Sequence, residues 1–130
     1  MNEPIPPELL GGWRLVSLEE RETEDAPWDR PLGEGARGVA FFHVGMVSVH
    51  IHAPDAPRRE LRNVAYFGFF TVRDVERTGE TVRGEVLLDL EGGFPVEVLE
   101  GDVPRPFEVR ADTLVLGDQR TWRTTLERIR

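Results

Sequence analysis

Apolar side chains in this chain recur at every second position over short runs separated by Gly, Pro and Asp, the period of half-buried β-strands. Residues 81–90 are the clearest case, with Val82, Val86, Leu88 and Leu90 on one face and Arg83, Glu85 and Asp89 on the other. Residues 39–43 and 46–52 flank Val44-Gly45, where glycine supplies the positive φ of a tight hairpin. Residues 64–72 form a further strand, and Gly68 inside it signals a sharp bend or a close backbone approach. Residues 13–22 fit a helical period as well, but the preceding glycine pair and the Val and Ser content favour a strand. Residues 94–100, 107–110, 113–116 and 121–129 complete the set, divided by Gly92-Gly93, Gly101-Asp102, Ala111-Asp112 and Gly117-Asp118. Turn signals at about ten-residue intervals predict an all-β barrel or sandwich.

Between these runs, residues 23–38 carry Pro27, Pro31, Gly33, Gly35 and Gly38 and cannot sustain regular structure. A loop this long in a small domain serves as a lid or binding loop, or is disordered. Residues 53–62, with Pro54 and Pro57 among charges, are a solvated connection. The predicted organisation is a tail with a short helical plug turn over residues 1–10, then one barrel domain over residues 11–130.

Composition narrows the function. A length of 130 residues suits one domain with a core of its own. Without cysteine there is no disulfide framework, thiolate metal site or cysteine nucleophile, which fits a cytoplasmic setting. The acidic, proline-rich start is unlike a signal peptide, and no apolar run reaches the ~18 residues of a membrane span. The formal charge of −8 repels phosphate backbones and anionic headgroups, so neither nucleic acid nor membrane is an expected partner.

Several motifs fall in a familiar order: Gly12-Trp13 with Leu15, Pro31-Leu32-Gly33, Arg37-Gly38, Met46-Val47-Ser48-Val49, Ala65-Tyr66-x-Gly68-x-Phe70-x-Val72 and Thr121-Trp122-Arg123. Together they resemble the bacterial lipocalin-like domain family, relatives in architecture of lipocalins and fatty-acid-binding proteins. The resemblance implies a single up-and-down antiparallel β-barrel with a small-molecule cavity. It also implies that Trp13 closes the barrel floor under a stacked arginine of the last strand, assigned to Arg123.

Candidate ligand-binding residues are Phe42, Tyr66, Phe70, Val86 and Leu88 on inward faces, together with His50 and Arg120. Tyr66, the only tyrosine, could present its hydroxyl to a cavity. Arg120-x-Trp122 resembles the arginine-x-aromatic arrangement with which fatty-acid-binding proteins hold a carboxylate. His50 and His52 share a strand face roughly 7 Å apart, yet no third ligand reinforces them, and His43 lies across the hairpin near Met46; neither a metal nor another cofactor is expected. Glu85, Asp89 and Glu97 alternate with apolar residues as on a solvated outer face, so no catalytic pair stands out. Trp28, in a proline-rich loop, suggests a lid or a subunit contact and leaves a homodimer open. The expected function is binding of a small, largely apolar molecule. The alternatives are a lipocalin-like isomerase, cyclase or hydratase, in which Tyr66 or His50 would move a proton, and an interaction module with a filled core.

Overall fold

A computed structural model describes residues 3–94 and 104–130. Eight strands follow one another: β1 (Gly11–Glu20), β2 (Arg37–His43), β3 (Met46–His52), β4 (Asn63–Thr78), β5 (Thr81–Phe94), β6 (Arg105–Arg110), β7 (Thr113–Leu116) and β8 (Trp122–Arg128). Each pairs antiparallel with the next, and β8 returns to β1, so the sheet closes into a barrel. Closure gives every strand two neighbours and so leaves no edge strand, although β1 pairs with β2 only over Gly11–Arg14 and β5 with β6 only over Thr81–Val86.

The expected hairpin holds in register, with His43 opposite Met46 and Gly45 at φ 74°. Gly68 fulfils its expected role at a β-bulge, where a Cβ would collide with the Asp89 carbonyl and crowd the backbone of Leu90 and Glu91. Two strands outrun their sequence patterns. β4 continues to Thr78 through a second irregularity between Arg73 and Glu76, and β5 runs on to Phe94. The strand expected over residues 94–100 contributes only Phe94 here, as the end of β5; its other positions lie outside the described residues.

The hairpin turn, the β4–β5 and β6–β7 turns and the start of β1 gather at one end of the barrel, the floor. Side chains fill this half. Trp13, Phe42, Phe70, Val72, Val82, Val86, Phe107, Val109 and Leu114 form a continuous buried core, within which Phe42 and Phe70 meet edge to face at 5.3 Å. Val82, Val86, Leu88 and Leu90 all face inward as their alternation required, the two leucines only partly buried.

The plug turn exists as a 3-10 turn, Pro7–Leu9, with Leu9 fully buried. The indole N–H of Trp13 donates to the Leu9 carbonyl at 3.0 Å. The stacked arginine is Arg128, whose guanidinium lies 4.3 Å from the Trp13 ring and donates to the carbonyls of Leu10 (3.0 Å) and Glu8 (2.7 Å). This corrects the assignment to Arg123, and register supplies the reason: Trp13 pairs with Arg128, while Arg123 pairs with Glu19 at the opposite end of β1. Two carboxylates tie the tail down, Glu8 to Arg77 and Glu3 to the backbone N–H groups of Asp74 and Val75.

Candidate functional site

The other half of the barrel is the mouth, and there the inward positions carry short side chains: Ala40, Val49, Val64 and Thr124. Eight strands enclose enough space for side chains or for one small ligand, and small residues at successive inward positions leave that space open. The result is a cavity of about 540 Å³, walled also by Leu15, Leu18, Ile51, Tyr66, Arg105, Leu116, Trp122 and Leu126. Its volume lies within the ~300–1,000 Å³ usual for small-molecule sites.

Two loops roof the cavity. Leu32 of the long loop and Ala53 and Ala56 of the β3–β4 connection are buried together against Leu15, Leu18, Ile51 and Leu61. Trp28 anchors the long loop, lying between the guanidinium groups of Arg21 and Arg123, each 4.0 Å from its ring. Arg123 is held in turn by Glu19 at 2.9 Å, and the bridge between Glu20 and Asp29 stitches the loop to β1. Trp28 therefore makes an intramolecular clamp, and Arg123 acts there instead of at the floor. Stacking between aromatic rings and guanidinium groups suits a partly wet rim, where each partner keeps some contact with water.

Charged and polar groups in the cavity wall include Glu19, Glu20 and Arg58, and a close pair of donors, Tyr66 and Arg105. Tyr66 points inward from β4; the Arg105 guanidinium lies 5.9 Å from its ring, with Nη1 3.4 Å from the hydroxyl. Among the described residues no carboxylate lies within ion-pair distance of Arg105. A partly buried guanidinium next to a phenol offers several N–H donors and one O–H, an arrangement suited to a carbonyl or carboxylate oxygen.

Of the expected ligand-binding residues only Tyr66 reaches this cavity. Phe42, Phe70 and Val86 belong to the packed floor half, and Leu88 packs against that core, so all four face inward but lie outside the cavity wall. Inward direction was legible from the alternation; depth along the barrel was not. His50 stands on the outer surface, its Nε2 2.9 Å from the Ser48 hydroxyl, and His52 contacts Asn63 at 3.1 Å. The odd-even parity of β3 decides this, because Val47, Val49 and Ile51 take the inward positions.

Arg120 is 74% exposed and reaches Glu24 across solvent at 3.6 Å, so it cannot hold a carboxylate within the barrel. It belongs to the turn before β8, whose organiser is Asp118. The Asp118 carboxylate accepts the backbone N–H groups of Thr121 (2.7 Å), Arg120 (2.8 Å) and Trp122 (3.2 Å) and the Thr121 hydroxyl. These bonds, the Thr121 N–H foremost, hold its pKa far below the usual carboxylate range. The turn sets the phase of β8, which aims Trp122, Thr124 and Leu126 at the cavity. Arg105 lies outside the strand expected over residues 107–110, although alternation through Arg105, Phe107 and Val109 signals that it also faces inward.

Among the described residues no helix is long and apolar enough to cross a membrane. Comparison with protein-family models, curated proteins and solved structures gives no match.

Proposed function

We propose that the protein binds a small amphipathic molecule inside the barrel, its apolar body against Leu15, Leu18, Ile51 and Leu116 and its acceptor head, a carbonyl or carboxylate, on Tyr66 and Arg105. The carrying observation is the juxtaposition of a cavity of about 540 Å³ with a guanidinium and a phenol in its wall. Burial of apolar ligand surface supplies affinity, while the partly buried donors set orientation and select the head group. The resemblance to lipocalin-like domains supports the same role. Net charge works in the opposite direction, since a chain of −8 slows the approach of an anion, so the donors act at short range.

Displacement of an environment-sensitive apolar fluorophore by a series of medium-chain acids and their methyl esters tests this. One-to-one stoichiometry is expected. Arg105→Met should weaken the acids by roughly 1.5–3 kcal/mol, the worth of a hydrogen bond to a charged group, with a much smaller effect on an alkane of equal length. Thr124→Trp, which fills the cavity, should abolish binding while the far-UV circular dichroism stays that of a β-barrel. Unchanged fluorophore binding in a folded Thr124→Trp variant would place the site elsewhere.

A further inference from the structure

Seven large apolar side chains are exposed among the described residues, and six of them, Phe41, Val44, Met46, Phe67, Phe69 and Phe94, gather on one side of the barrel. That side is the outer face of β2, β3 and β4 with the adjoining end of β5. Register lines them up: Phe41 lies opposite Ser48 and Ser48 opposite Phe67, and one row on, Met46 lies opposite Phe69. Glycines extend the central row at both ends, Gly12 under Phe41 and Gly92 under Phe67, with the rings so close that a Cβ at either glycine would crowd them. The phenyl rings therefore lie against backbone and present a broad apolar surface.

Charge is distributed unevenly around this patch. The outward positions of β2, β3 and β4 from Arg37 to Phe69 contain no carboxylate, in a chain with 24 Asp and Glu. A cation, Arg37, stands at the mouth end, where it pairs with His52 and His50 follows two residues earlier. Acids border the diagonal corner, where Asp89 lies opposite Phe69 and Glu91 sits exposed in the β5 bulge.

We propose that this face is a homodimer interface, formed with a second copy of the chain. The charge pattern favours that occupant. A two-fold axis lying in the interface, across the diagonal, exchanges the two corners and brings Arg37 of each protomer towards the acidic corner of the other. The same operation superposes the aromatic centres and keeps the remaining acidic surface of both copies apart. Area agrees as well: six half-exposed side chains, each ~200 Å² when fully buried or somewhat less, give roughly 500–600 Å² of apolar surface. With the polar outward positions around them, this approaches the ~800 Å² per partner of a standard interface. An anionic membrane fits less well, since Arg37 sits at one end only and the rest of the chain repels it.

Sedimentation velocity and light scattering on the full chain decide the matter. The wild type should show twice the 14.8 kDa chain mass at micromolar concentration, and Phe67→Glu should show once that mass with an unchanged far-UV spectrum. Arg37→Asp and Asp89→Arg should each weaken association at least tenfold, and the double exchange should recover most of it, a result that lost folding cannot imitate. A wild type monomeric throughout the concentration range, including one that instead co-sediments with phosphatidylserine vesicles, would overturn the proposal. So would dimers insensitive to Phe67→Glu.

Discussion

Replacing Arg128 with methionine should cost far more stability than the same replacement at Arg123, although both are arginines of β8 stacked on a tryptophan. Methionine keeps much of the apolar stem and removes the guanidinium, so the comparison isolates what the charged head does. At Arg128 the head donates two hydrogen bonds to main-chain carbonyls of the plug and covers the fully buried Trp13. Each charge-assisted bond is worth about 1.5–3 kcal/mol when lost, and the stack about 0.5–2 kcal/mol. The losses share one group and are not additive, so we expect about 3 kcal/mol. At Arg123 the head loses a rim stack on Trp28 and the ion pair with Glu19, both reached by solvent, for about 1 kcal/mol. For a domain of this size 1 kcal/mol moves the melting temperature by about 4 °C. Arg128→Met should thus melt about 12 °C below wild type and Arg123→Met about 4 °C below, measured by circular dichroism and checked by urea midpoints at equal m. Equal losses, or the reverse order, would refute the placement of Arg128 as the floor clasp.

Acid should weaken the fold through carboxylates whose native pKa is depressed: Asp118 by the backbone N–H of Thr121, Glu8 by Arg77, Glu108 by Gln119 and Asp112 by Arg130. A depressed native pKa adds stability above the unfolded value, near 4, and that stability fades as pH falls below it. Urea midpoints should therefore decline from pH 4 to pH 2.5, and Asp118→Asn, uncharged throughout, should flatten the decline; superimposable slopes would remove Asp118 from this account. Gly68→Ala, driven against the backbone of β5, should cost about 1–3 kcal/mol. Gly45→Ala meets no atom within 4 Å and should cost only the left-handed strain of about 1–2 kcal/mol. Thermal unfolding of the two variants compares them, and a Gly68→Ala protein as stable as wild type would contradict the close approach at the bulge.

The local signals in this chain sufficed for its class and for most of its elements. Period-two alternation, as in Val82, Val86, Leu88 and Leu90, reports which side of a strand is buried, because successive side chains point to opposite faces. Gly45 and Gly68 announced a turn and a close approach because only a missing Cβ satisfies them. What alternation leaves open is height along the barrel and pairing between distant strands. Phe42, Phe70 and Val86 read as inward and are inward, yet only the stagger of the closed sheet places them in the packed floor and Tyr66 in the mouth. Arg123 and Arg128 occupy one strand five residues apart; the β1–β8 register gives Arg128 to Trp13, and the path of the long loop brings Trp28 to Arg123. Tyr66 and Arg105 are separated by 39 positions and meet inside the barrel. Their encounter depends on contacts between strands remote in the chain, which no local pattern encodes.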